Sequence, residues 1–218
     1  MIHFGDLTGL LITVVAITMI PFVAMVATSY AKIVVVLGLL RNALGVQQVP
    51  PNMVLNGIAI LVSAYVMAPV GIQAMKTLHD THRPPGTDSS IVVFDVFDAA
   101  KEPFRQFLKK HTGEREKRFF VRSATVIWPK DIAAKVRDDD LIVLAPAFTI
   151  TEMTDAFKIG FLLYVAFVVV DLVIANVLMA MGLNQVQPTN VAIPFKLLLF
   201  VAMSGWSTLI HGLIMTYR

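Results

Sequence analysis

Apolar residues run along this chain in long unbroken stretches, not in the alternation of a half-buried strand or the narrow stripe of a surface helix. Four charge-free runs dominate: Leu7 to Ala31, resumed past Lys32 as Ile33 to Leu40; Met53 to Met75; Ile159 to Gly182, interrupted only by Asp171; and Leu197 to Tyr217. Each approaches or exceeds the ~20 residues that a membrane-crossing helix needs. Their punctuation is helical. Pro21 removes a backbone donor inside the first run and predicts a kink or break there. Pro50-Pro51-Asn52 closes a loop and offers Asn52 as the N-cap of the second helix. Gly182 suits the end of the third, while Pro188 and Pro194 bound the loop before the fourth.

Residues 76–148 are different material. A polar loop, His79 to Asp88, leads to Phe94, Phe97, Phe104, Phe107 and Leu108, which recur at helical spacing and predict an amphipathic helix starting behind Ser89 or Ser90. Glu114 to Ser123 reads as a second, charged helix and Lys130 to Val136 as a short third. Leu141 to Leu144 fits a strand or extended chain equally well. The expected architecture is all-α: an apolar helical hairpin over 1–75, a small mainly helical polar insertion over 76–148, and a second apolar hairpin over 149–218.

Composition agrees with membrane association. Hydrophobic residues are 56% of the chain and charged residues 15%, against roughly 25% charged in soluble domains. The net charge of +3 comes from scattered residues such as Lys32, Arg41, Lys196 and Arg218, so no polybasic face points to nucleic acid. With no cysteine, disulfide and thiolate chemistry are excluded. Met1 to Asp6 lacks a basic n-region and a small-residue cleavage site, so the first apolar stretch is expected to stay in the mature protein.

Three stretches carry a family likeness. The first runs from Pro21-Phe22 through Thr28-Ser29-Tyr30-Ala31-Lys32 to Arg41-Asn42-Ala43-Leu44-Gly45, then Gln47 to Asn52 and Met67-Ala68-Pro69. The second is Pro146-Ala147-Phe148-Thr149-Ile150-Thr151-Glu152-Met153 with Ala156 to Phe161. The third joins Asp171 to Ala175, Met179-Ala180-Met181-Gly182, Pro194 to Val201 and Gly205-Trp206. In this order, around an insertion of suitable size, they resemble the FliP/SctR family of type III secretion export-gate subunits. Arg41 to Gly45 with Val49 and Met53 is more similar to injectisome members than to flagellar ones.

The resemblance implies a non-enzymatic protein without cofactors. Family members form rings of five, joined by two related small export-gate subunit families, into a closed gate. They work with other inner-membrane export-apparatus proteins and with inner rod or needle proteins, and exported unfolded proteins pass through the centre. The gate sits in the bacterial inner membrane and protrudes to the periplasmic side, where the insertion is expected. By the same resemblance, its apolar helices pack largely against sister subunits, above the plane of the inner membrane, rather than spanning lipid as separate helices.

Single residues support two readings each. Thr149 and Glu152 have the spacing of a capping box; by resemblance, Glu152 and Lys196 form charge contacts between subunits together with Lys117 or Arg118. Lys196, placed at the start of the last helix, opposes the helix dipole, and Glu152 is its expected acidic partner unless it snorkels to solvent. Asp171 within an apolar run calls for a partner: a structural hydrogen bond or proton-relay work, with Lys32 the opposite charge in sequence. The resemblance places a pore gasket after the third helix, where family members often carry consecutive methionines. Here Leu183, Asn184 and Gln185 stand there, with Met179 and Met181 one turn back. His79 and His82 lack a third metal ligand, and Asp138-Asp139-Asp140 lacks calcium-loop spacing. No phosphate loop, zinc-protease pair or nucleophile elbow supports a membrane enzyme. The other reading is a small proton-coupled transporter, motivated by Asp171, Lys32 and the Pro-interrupted helices.

Overall fold

A computed structural model describes residues 11, 14, 15, 18, 19, 21–80 and 89–218, and the side chains of all of these except 89–94. The readings for Met1 to Asp6, His82 and the side chain of Phe94 fall outside that set. Among the described residues the chain is helical, without strands. Its helices are α1 (Tyr30–Leu44), α2 (Asn52–Asp80), α3 (Ser89–His111), α4 (Glu114–Ile127), α5 (Lys130–Ala133), α6 (Leu141–Ala180), α7 (Pro188–Ala202) and α8 (Gly205–Met215).

Several boundaries differ from those expected. Pro21 lies within a helical stretch, 21–26, and the break falls at 27–29. There the Thr28 hydroxyl accepts the Tyr30 N–H at 3.3 Å and helps open α1. Asn52 does not cap α2: Val54 and Leu55 donate to the Pro51 carbonyl at 3.0 and 3.2 Å, and the Asn52 side chain instead accepts from Arg41 Nη1 at 2.6 Å. Leu141 to Leu144 is neither strand nor extended chain but the first turn of α6, with Val143 and Leu144 donating to the Asp140 carbonyl at 2.9 and 2.8 Å. Pro194 does not bound a loop; it sits inside α7, which starts at Pro188, where a missing N–H costs nothing. The final apolar run is two helices: Ser204, at φ 52°, ψ 43°, separates α7 from α8, and the pair bends by 63°.

By internal contacts the chain divides into two compact units, Met1–Ala31 with Ala64–Glu152, and Lys32–Ser63 with Met153–Arg218. The core of the first gathers Leu108, Leu144 and Phe148 with Phe104, Phe107, Leu141 and Ala145 around them. This is the inner face of the amphipathic α3 meeting the start of α6; Phe97, on the same sequence stripe, stays 65% exposed. The second unit has two apolar clusters. Leu40, Leu44 and Phe200 pack with Val46, Phe167 and Leu209, and Ile174, Leu178 and Ala192 pack with Val170 and Val191. Gly160 leaves the room that Leu39 fills, so α1 and α6 approach closely there. Beside the first cluster lies an apolar cavity of about 500 Å³ whose wall includes Leu163, Phe167, Leu209 and Leu213.

Candidate functional site

Lys196 is 5% exposed, and α7 carries it among apolar neighbours that cannot solvate an ammonium. Its Nζ donates to Asp171 Oδ2 at 2.6 Å and to the Ala43 carbonyl at 3.1 Å. Ala43 belongs to the last turn of α1, where carbonyls lack intrahelical partners and the helix dipole favours a cation. One side chain thus ties α1, α6 and α7. Because α7 begins at Pro188, Lys196 stands two turns inside the helix, and the expected opposition to the N-terminal dipole does not arise.

This pairing replaces the within-chain partners the sequence suggested. Asp171 pairs with Lys196, not with Lys32. Lys32, 3% exposed, donates to Thr216 Oγ1 at 3.3 Å and lies 4.2 Å from the centre of the Tyr217 ring, a cation–π contact. A signal for the first pair was present. Gly182 (φ 74°) ends α6 in a Schellman turn: Gly182 donates to Met179 and Leu183 to Leu178, both at 3.0 Å. Asp171 lies nine residues before the end of α6 and Lys196 eight after the start of α7, so an antiparallel helix pair sets them nearly level. Nothing in the sequence pattern marks the Ala43 carbonyl, the Thr216 hydroxyl or the Tyr217 ring as a partner for a lysine.

In the other unit Glu152 is 1% exposed and Lys117 6%. Thr149 caps nothing. It lies in the third turn of α6, its hydroxyl 2.9 Å from the Ala145 carbonyl and 3.0 Å from that of Val26, so Thr149 and Glu152 form no capping box. The Thr151 hydroxyl accepts the Gly113 N–H at 3.0 Å and so fastens the residue just before α4 to α6. Lys117 pairs with Glu114 one turn earlier. That hydrogen bond, with the Lys117 charge behind it, holds the Glu114 carboxyl below its ordinary value of 4.5. The stability this contributes is present above the ordinary carboxylate pKa and is lost only as pH falls through the lowered one. Arg118 is exposed, with Nε donating to the Glu114 carbonyl at 3.2 Å.

The turn between α6 and α7 is open: residues 181–190 are all exposed, including Leu183, Asn184 and Gln185. Met179 is 60% and Met181 66% exposed. Among the described residues, no three His, Cys, Asp or Glu side chains gather as metal ligands.

These features define a class: a helical membrane protein whose few buried charges bind apolar helices to one another. α2 and α6 are each long and apolar enough to cross a membrane, and the bent α7–α8 pair adds a third candidate. Residues 11–213 match the model of the FliP family, and the chain belongs to that family. It is 67% identical over 209 residues to "Pathogenicity-related ORF2" of Xanthomonas campestris pv. glycines, covering 96% of each chain. It is 66% identical over 213 residues to "Hypersensitivity response secretion protein HrcR" of Ralstonia nicotianae, covering 98% of each. With "Yop proteins translocation protein R" of Yersinia pestis it shares 47% identity over 217 residues, 100% of this chain and 99% of that one. The chain is a non-enzymatic component of type III protein secretion, of the injectisome kind.

Proposed function

We propose that this chain is a core subunit of the export gate, assembling with copies of itself, in a ring of five, and with two related small subunit families. Together they form the channel through which unfolded proteins leave across the bacterial inner membrane toward the inner rod or needle. The observation that carries this reading is how little of its apolar surface the chain covers by itself. Within their most apolar windows only 17% of α2 and 11% of α6 is buried. At 1.5 Å per residue, the 40 residues of α6 extend about 60 Å, roughly twice the hydrocarbon thickness of a bilayer. Lipid covers one half at most, α3 covers one side of its start, and sister chains suit the exposed remainder.

The insertion then lies on the periplasmic side. The turn carrying Leu183, Asn184 and Gln185, backed by Met179 and Met181, is offered to the channel as a gasket, with flexible thioethers and one leucine closing around varied chains. Glu152 and Lys196, with Lys117 or Arg118, make charge contacts between neighbouring subunits. Lys196 already holds Asp171 within the chain, so its contact with a neighbour is shared or exchanged.

Native mass spectrometry of the chain co-produced with the sister subunits tests this. The wild type is expected to form a ring. Glu152→Ala is expected to shift it toward smaller species, and exchanging the charges of Glu152 and Lys196 to restore part of the loss. An Asp171→Asn control separates the bond within the chain from the bond between chains. A wild-type chain that stays monomeric beside its partners overturns the gate; strictly additive losses overturn the Glu152–Lys196 contact.

A further inference from the structure

The insertion carries a surface that the gate reading does not use. Helix α4 buries one side, with Lys117 and Ala124 inward. Directly opposite, at spacings of four, three and four residues, stand Arg115, Phe119, Arg122 and Val126, all exposed. The period of 3.6 residues sets these four within one narrow outward stripe. Phe119 is 62% and Val126 80% exposed, high values for large apolar groups in a helix that has an interior available. The guanidinium groups of Arg115 and Arg122 form no hydrogen bond or ion pair among the described residues; the Arg122 carbonyl accepts from the Thr125 hydroxyl at 2.7 Å.

The acids of α4 are directed elsewhere. Glu114 is held by Lys117, and the Glu116 carboxylate folds back against Gly113, toward the helix N-terminus where the dipole favours it. The outward stripe is therefore cationic and apolar, without a carboxylate. That chemistry suits the interface of an anionic bilayer: rings and branched chains enter the acyl boundary while guanidinium groups reach up to phosphates. In the sequence α4 lies between α2 and α6, which among the described residues are the two single helices apolar enough to cross a bilayer.

We propose that the outward face of α4 is a membrane-surface site that binds anionic phospholipid headgroups through Arg115 and Arg122, with Phe119 and Val126 inserted between the lipids. Such a contact fixes the insertion against the bilayer surface. It does not depend on ring formation, so a single chain in its membrane shows it.

The chain has no cysteine, so Ser123→Cys, beside the stripe, takes one environment-sensitive fluorophore. The full-length labelled chain is placed, one copy per disc, in lipid nanodiscs of phosphatidylcholine alone or with phosphatidylglycerol. A blue shift in the anionic discs, with quenching by a lipid-borne quencher, is expected. Arg115→Gln with Arg122→Gln is expected to lower the docked-to-undocked ratio about thirty-fold, following the usual worth of two cations near an anionic surface. Val126→Asp, which leaves both arginines, is expected to abolish quenching while some salt-sensitive attraction remains. Identical emission in neutral and anionic discs overturns the proposal. So does a shift that the double variant retains, or one that appears only with two chains per disc, which would make the occupant a second copy.

Discussion

Asp171 and Lys196 form one bond but stand in unequal surroundings. The lysine side chain is 6% exposed and the aspartate 41%. Removing the acid strands an ammonium in an apolar interior with only the Ala43 carbonyl to accept from it, whereas removing the lysine leaves a carboxylate that can reach solvent. Asp171→Leu is therefore expected to cost about 3 kcal/mol, in the range for stranding a buried charge, and Lys196→Met about 1 kcal/mol, near that of an exposed pair. The double variant, with nothing left to desolvate, should recover most of the loss. Thermal unfolding of the purified chain in detergent measures all three, and a larger loss for Lys196→Met would show that the carboxylate is the buried partner. Both residues stood out in the sequence because ionisable groups are costly in apolar runs. Their pairing was harder to read, since opposite charge names candidates but only the level of each residue about the α6–α7 turn selects between Lys196 and Lys32.

At the scale of elements, legibility followed the strength of local signals. The start of α4 at Glu114 and the end of α6 at Gly182 were legible, and α3 starts at Ser89, one residue earlier than a serine cap at that position implies; each boundary marks a change of period, and Gly182 adds a glycine at positive φ. The start of α6 was missed. Leu141 to Leu144 is too short for its period to tell strand from helix, and Thr149 with Glu152 imitates a capping box inside a continuing helix. The break between α7 and α8 was missed too, because no proline marks it. Its causes are the left-handed backbone of Ser204 (φ 52°) and the contact of Gly205 with the Phe200 ring, which meets Trp206 edge-on with ring centres 5.5 Å apart. A side chain at a left-handed position costs stability that glycine avoids, so Ser204→Gly is expected to gain about 0.5 kcal/mol. Gly205→Ala, whose methyl would meet the Phe200 ring, should lose about 1–3 kcal/mol by overpacking. Chemical denaturation of the two variants decides; if Gly205→Ala proved harmless, close packing at the bend would not be what excludes a side chain there.

For the whole molecule, the chain retains much apolar surface and one conspicuously open turn. The apolar surface calls for other subunits and lipid, and it was foreseeable from composition; that residues 181–190 all stand exposed was not, because a turn between apolar helices can as readily be folded inward. If that turn lines the resting channel, its closing power rests on Leu183, which is 40% exposed in the single chain and is the apolar member of the Leu183-Asn184-Gln185 set. A ring of leucines meeting at an axis excludes water and ions by the cost of hydrating an apolar constriction. Glycine keeps the turn's hydrogen bond from Leu183 N to Leu178 O, which belongs to the backbone, but removes the whole apolar side chain. Leu183→Gly should therefore leave ring assembly intact while raising ion conductance of the reconstituted, substrate-free complex about tenfold or more, as expected for losing a few kcal/mol of barrier. Asn184→Ala, which removes no apolar group, should leave it unchanged. Planar-bilayer recordings on complexes first checked for subunit composition make the comparison, and equal resting conductance in all three would assign closure to a different part of the gate.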